Sequence, residues 1–174
     1  MFGMQRTARI LKEKGIDFTG TRETAQEPNF IVKEINNIKI GIANFTYETP
    51  GDDATRKYLN GGAINRDANA LINTFSYQRI DSFYSEAENM IEEMKSQGAE
   101  YITFYMHWGE EYQLTANTWQ KSIAQKLSNM GVNMIIGGHP HVVQPMDYIT
   151  SEDGQTETVC IYSLGNAVSN QRRE

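Results

Sequence analysis

Three segments of this sequence repeat one order: an amphipathic helical stretch, a glycine, then an apolar run of strand length. In the first, Met4, Thr7, Ile10 and Leu11 share a helical face, Gly15 follows, and Ile16 to Phe18 opens an extended piece. In the second, Ile80, Phe83, Tyr84, Ala87, Ile91 and Met94 recur at helical spacing with Glu86, Glu92 and Glu93 on the wet side, Gly98 stops the helix, and AEYITFYMH reads as a buried strand. In the third, Asn117 or Thr115 caps a helix carrying Trp119, Ile123, Leu127 and Met130, Gly131 ends it, and VNMIIGG is the next strand. Helices alternating with apolar strands predict an α/β fold with mainly parallel pairing.

Two stretches depart from this order. FIVKEINNIKIGIANF predicts a hairpin turning at Asn36-Asn37, and VVQPMDYIT with TVCIYSL predicts a second one across SEDGQTE. The sheet is therefore expected to be mixed. Residues 47–79 hold TPGDD, NGGAINRDANA and scattered aromatics without a sustained period. They read either as an insertion or long loop beside a site or interface, or as a mobile surface excursion.

Composition excludes several classes. The 174 residues suffice for one domain with its own core. Sixteen basic against 22 acidic side chains give a net charge of −6, which argues against nucleic acid as a partner. One cysteine excludes an internal disulfide. In its strand, Cys160 reads as a small buried side chain rather than a nucleophile. No apolar run reaches the length of a membrane span. The first fifteen residues read as an amphipathic segment, not as a signal peptide.

All three histidines stand at expected strand ends, where α/β sheets gather their sites. His107 closes YITFYM, and His139 and His141 lie within GGHPH. Histidines two apart in an extended segment point the same way, so both rings can face one metal or a metal pair. Pro140 fixes φ between them, and Gly137 and Gly138 allow bending and close approach. Imidazole suits zinc, iron and manganese. Around His107, in HWGEEY, Glu110 and Glu111 are candidates to hold a histidine, bind a metal or move a proton, or are ordinary solvated carboxylates. Trp108 and Tyr112 line a pocket or, more in keeping with their type, pack between sheet and helix. Asn166 orients a ligand or a histidine, or shapes the turn after Gly165. A two-metal centre needs bridging carboxylates as well, and no Asp-x-His or Asn-His pair stands upstream of His107.

HWGEEY, then GVNMIIGGHPHVVQPMDYI, then IYSLGN, resembles the CapA family of poly-γ-glutamate capsule synthesis, in the calcineurin-like metallophosphoesterase superfamily. The match is close over residues 100–168 and weaker over 1–46. The resemblance implies a metallophosphatase-like sheet sandwich flanked by helices, with residues 1–174 as the C-terminal part of one domain, incomplete at the N-terminus. The family's Gly-Asp strand end and Asn-His pair would lie ahead of Met1. His107, His139 and His141 match its metal-ligand histidines. Glu111 and His107 are the catalytic candidates, and Glu110, Tyr112 and Asn166 stand for second-layer or substrate contacts. Also implied are a divalent transition metal (Mn, Fe or Zn) in the longer protein, an anionic polymer or phosphoester as substrate, and capsule synthase components as partners. Placement would be at the extracytoplasmic cell surface, with the anchor outside this chain. The function expected is capsule biosynthesis or export, either as a metal-dependent hydrolase or as a non-catalytic assembly component. Sheet edges left unpaired predict a homodimer.

Overall fold

The three helices all end on one device. The computed structural model describes residues 3–53 and 55–169. Within them α1 (Gly3–Glu13), α2 (Ile80–Ser96) and α3 (Thr118–Asn129) each run into a glycine of positive φ: Gly15 at 64°, Gly98 at 89° and Gly131 at 93°. Beyond each glycine the next amide reaches back, Ile16 to the Leu11 carbonyl at 2.9 Å, Ala99 to Met94 at 3.0 Å and Val132 to Leu127 at 3.1 Å. This is the Schellman arrangement, in which a left-handed residue lets the amides after the helix satisfy its last carbonyls. The helix–glycine order of the sequence is therefore a physical stop in all three places.

The chain divides into two units, residues 1–104 and 105–174. In the first, β1 (Ile31–Ile35) and β2 (Ile38–Tyr47) pair antiparallel with Ile35 opposite Ile38. Asn36 and Asn37 sit at φ 51° and 64°, the two positive values that a tight two-residue hairpin demands. Residues 47–79 hold only short elements. There, β3 (Tyr58–Leu59) and β4 (Gly62–Ala63) form a small hairpin, a 3₁₀ turn spans Arg66–Leu71, and β5 (Thr74–Phe75) runs parallel to β2. Helix α2 packs on β2 and β5. Phe45 meets Phe83 edge-on at 5.0 Å between ring centres and stacks on Phe104 at 5.7 Å. Each such buried ring contributes about 1.5–3 kcal/mol.

Two expectations fail in this unit. Residues 16–18 join no ladder; the nearby pairing is a single bridge between Thr21 and Ile72. The inward face of α1 is also rotated. Ala8 is buried, with Met4 and Leu11 partly covered, whereas Thr7 is exposed and Ile10 is 42% exposed. Thr7 instead bonds its own helix, its hydroxyl donating to the Gly3 carbonyl at 3.1 Å.

Strand β6 (Tyr101–His107) starts in the first unit beside β2 and finishes in the second. Within the second unit the strand order is β6-β7-β9-β8, with β7 (Met134–Gly138), β8 (Met146–Thr150) and β9 (Glu157–Ile161). β7 runs parallel to β9 with Ile135 opposite Cys160, and β8 antiparallel with Tyr148 opposite Val159. Helix α3 packs on β8 and β9. Asn117, not Thr115, is its cap, in a reciprocal box with Gln120. That box turns Gln120 inward, so Gln120 is buried while Trp119 is 44% exposed, against the expected inward Trp119. Cys160 is buried, and burial pushes its thiol up to about 12, as befits a packing residue. Both units mix helices with parallel and antiparallel strands. This is the expected α/β class, a mixed sheet flanked by helices, consistent with a metallophosphatase-like sandwich.

Candidate metal centre

The site is built where β6 and β7 end, within the second unit. His107 is the last residue of β6, and the loop after it carries Glu110, Glu111 and Tyr112. His139 and His141 follow β7 directly. The two loops are held side by side by backbone bonds: Trp108 N–H donates to the Gly138 carbonyl at 3.1 Å, and Tyr112 N–H to the Pro140 carbonyl at 2.8 Å.

The paired glycines have separate tasks. A Cβ on Gly137 would stand 2.0 Å from the Tyr162 carbonyl oxygen and 2.5 Å from Trp108 Nε1. Those two atoms are themselves hydrogen-bonded at 2.9 Å, with the indole N–H donating. Gly137 is therefore glycine because backbone and indole close over it. Gly138 has open space where a Cβ would go.

The segment after Gly138 is not extended. His139 has φ 100° and His141 φ 61°, so the expected strand-like alternation is replaced by a left-handed bend on either side of Pro140. Proline disfavours the ordinary helical conformation for the residue before it and favours extended backbone, so the positive φ of His139 is the costlier alternative. Among the described residues, only six without a glycine's freedom have positive φ. Three are asparagines (36, 37 and 60), a type that tolerates this region, and the other three are Tyr112, His139 and His141. Backbone strain is thus concentrated in this one cluster.

Glu111, His139 and His141 each offer a donor atom, all within 4.8 Å of one another. Two imidazoles and a carboxylate form a donor set known for zinc and for non-haem iron. Tetrahedral donors at about 2.1 Å from an ion stand roughly 3.4 Å apart, so modest side-chain closure brings this set to bonding distance. His107 lies outside that donor cluster, but its ring centre is 4.6 Å from that of His139. His141 Nδ1 meets Asn166 Oδ1 at 2.8 Å, placed by the turn at Gly165, whose φ is 69°. With that oxygen accepting, Nδ1 carries the proton and Nε2 keeps its lone pair for an ion. Tyr112 stacks on His141 at 5.8 Å and is 41% exposed, so it lines the site instead of packing inside. Trp108 is fully buried and does pack. Glu110 turns away, its carboxylate 3.5 Å from the Asn117 side-chain amide at the start of α3.

Burial, together with the neighbouring imidazoles, holds His107 below the ordinary histidine range. Burial also lowers His139; Glu111 opposes that shift and His141 adds to it. Both rings are therefore neutral at pH 7, the form that binds metals.

Two residues that matter here carried no signal as site residues. Gln120 and Gln144 are both buried, and Gln120 Nε2 donates to Gln144 Oε1 at 2.8 Å. The Asn117-x-x-Gln120 spacing of a capping box was legible, but its buried continuation to Gln144 was not. The chain also holds a Gly-Asp pair, Gly51-Asp52, within the first unit, where the Asp52 carboxylate accepts the Tyr58 hydroxyl.

The sequence is similar to two named proteins. "Capsule biosynthesis protein CapA" of Bacillus anthracis is 25% identical over 171 residues, 97% of this chain and 36% of that protein. "PGA biosynthesis protein CapA" of Bacillus subtilis (strain 168) is 26% identical over 171 residues, 97% of this chain and 39% of that protein. The chain thus matches between a third and two fifths of each relative's length. The profile of the bacterial capsule synthesis proteins, PGA_cap, matches residues 1–171, and the chain belongs to that family.

Proposed function

We propose that this chain serves capsule biosynthesis in the manner of the CapA proteins and holds a divalent transition metal through Glu111, His139 and His141, with His107 beside them. The observation that carries the metal reading is the convergence of three donor atoms within 4.8 Å, two of them, from His139 and His141, on backbone that ordinary side chains avoid. The relatives' names support the capsule reading and a role at the cell envelope. Among the described residues no helix is long and apolar enough to cross a membrane.

A bound ion would supply Lewis acidity toward a water or a substrate oxyanion. The chain's own residues orient the ligands: Asn166 turns His141, Tyr112 covers one face of that ring, and the neutral His107 and His139 offer lone pairs. A net charge of −6 repels a free polyanion, so an anionic polymer or phosphoester would be engaged through the metal. Manganese, iron and zinc all suit this donor set.

Metal content decides the reading. The 174-residue chain, incubated in turn with Mn²⁺, Fe²⁺ and Zn²⁺ and desalted, should retain about one equivalent of at least one ion by mass spectrometry. His139→Ala with His141→Ala should retain none. A folded, unaltered chain that retains no metal would overturn it.

A further inference from the structure

The two ligand-bearing loops are joined by a buried amide relay that nothing in the family reading anticipates. Gln144 follows the His-Pro-His segment and is 2% exposed. Its Nε2 donates both hydrogens across to the other loop, to the Gln113 carbonyl at 2.9 Å and the Thr115 carbonyl at 3.2 Å. Those carbonyls lie two and four residues beyond Glu111. The Oε1 of Gln144 accepts from Gln120 Nε2 at 2.8 Å. Gln120 Oε1 in turn accepts the Asn117 N–H at 3.0 Å, and Asn117 Oδ1 accepts the Gln120 N–H at 2.9 Å. Gln120 Nε2 has a second, longer partner in the Tyr162 carbonyl at 3.5 Å.

Every polar atom of the two side chains therefore has a partner, and the network has one sense. An amide offers two donors on one side and an acceptor on the other, so it cannot reverse without setting donor against donor. A Cβ on Gly109 would lie 2.8 Å from Gln120 Cδ, so this end of the loop also rests directly on the relay.

We infer that Gln144, held in orientation by Gln120, is the positioning residue that sets the distance between the His139–His141 pair and Glu111, and so sets the affinity of the site for its metal. This rests on the metal reading above. Loss of a group bonded directly to a ligand weakens metal affinity by about 10- to 100-fold, and a support one step further out acts at the lower end of that range. The residue touches no donor atom of the cluster, and its influence runs through the Gln113 and Thr115 carbonyls.

The test is Gln144→Met, which keeps the length and volume of the side chain and removes both donors. Zinc and manganese affinities are measured by calorimetry on the 174-residue chain, beside the thermal midpoint. Gln120→Met is the second variant, freeing the Gln144 amide while leaving its donors in place, and Leu127→Ala in α3 is the control for stability alone. Gln144→Met should lose about 10-fold in affinity and Gln120→Met a smaller factor. Leu127→Ala should bind within about twofold of the unaltered chain despite a lower midpoint. Unchanged affinity in Gln144→Met, or in Gln120→Met if the first does not fold, would overturn the inference and leave the metal reading standing. An equal loss in Leu127→Ala would also overturn it, assigning the effect to stability. No binding by the unaltered chain would overturn both.

Discussion

Asn166 Oδ1 stands 2.8 Å from His141 Nδ1, and with that oxygen accepting, the His141 Nε2 lone pair is the one left for an ion. Asn166→Leu keeps the size of the side chain and removes the acceptor. Metal affinity measured by calorimetry should fall about 10- to 100-fold, with stability changed by less than about 1 kcal/mol because the contact is exposed. Asn166→Asp, which restores an acceptor, should recover the affinity. Equal affinities in all three proteins would show that the ring orients itself.

The two glycines before the histidines should respond oppositely to one methyl group. Gly137→Ala forces a carbon against the Tyr162 carbonyl and the Trp108 indole, at a cost of at least about 2 kcal/mol. Gly138→Ala enters open space and should stay within about 0.5 kcal/mol. Thermal unfolding followed by circular dichroism reads both, and similar midpoints would contradict the packing described.

His139 at φ 100° should be a site where stability and metal binding trade against each other. A strained residue of this kind costs about 1–3 kcal/mol, and glycine gives back about 0.5–1 kcal/mol in chain entropy. His139→Gly should therefore stabilise the metal-free chain by roughly 1 kcal/mol, raising its unfolding midpoint, while abolishing metal retention. A lowered midpoint would mean that ring contacts outweigh the backbone.

Acid should destabilise the metal-free chain partly through its histidines. His107 and His139 are held below the ordinary histidine value when folded. The unfolded chain then binds more protons as the pH falls below about 6.5, so stability present above that pH is lost on acidification. The unaltered chain should lose midpoint between pH 7 and pH 5 more steeply than His107→Gln. Parallel curves would remove His107 from the account.

Phosphodiester turnover by this chain alone should stay at the buffer rate. Among the described residues, Glu111 is the one carboxylate in the donor cluster, and two-metal hydrolysis uses bridging carboxylates as well. Bis-p-nitrophenyl phosphate with added Mn²⁺ gives the measurement, and robust metal-dependent release of nitrophenolate would refute the expectation.

What could be read from the residues was what depends on neighbours in the chain. Gly15, Gly98 and Gly131 announce helix ends because the left-handed position excludes most other residues. Asn36-Asn37 announces a hairpin for the same reason. The gathering of the histidines follows from strand ends meeting at one edge. What escaped depends on partners far away in sequence. Gln144 looks like any loop glutamine until the Gln113 and Thr115 carbonyls, about thirty residues away, are set against it. Tyr112 looked like a packing aromatic until its ring lay over His141. Residues 16–18 have the composition of a strand but join no ladder.

The Gln144 relay contains only amides and carbonyls and carries no charge. Its contacts should therefore be indifferent to ionic strength and to proton concentration across the ordinary working range. Whatever salt or acid does to ion uptake by this protein will then originate outside the two glutamine amides, measured against a ruler that does not titrate.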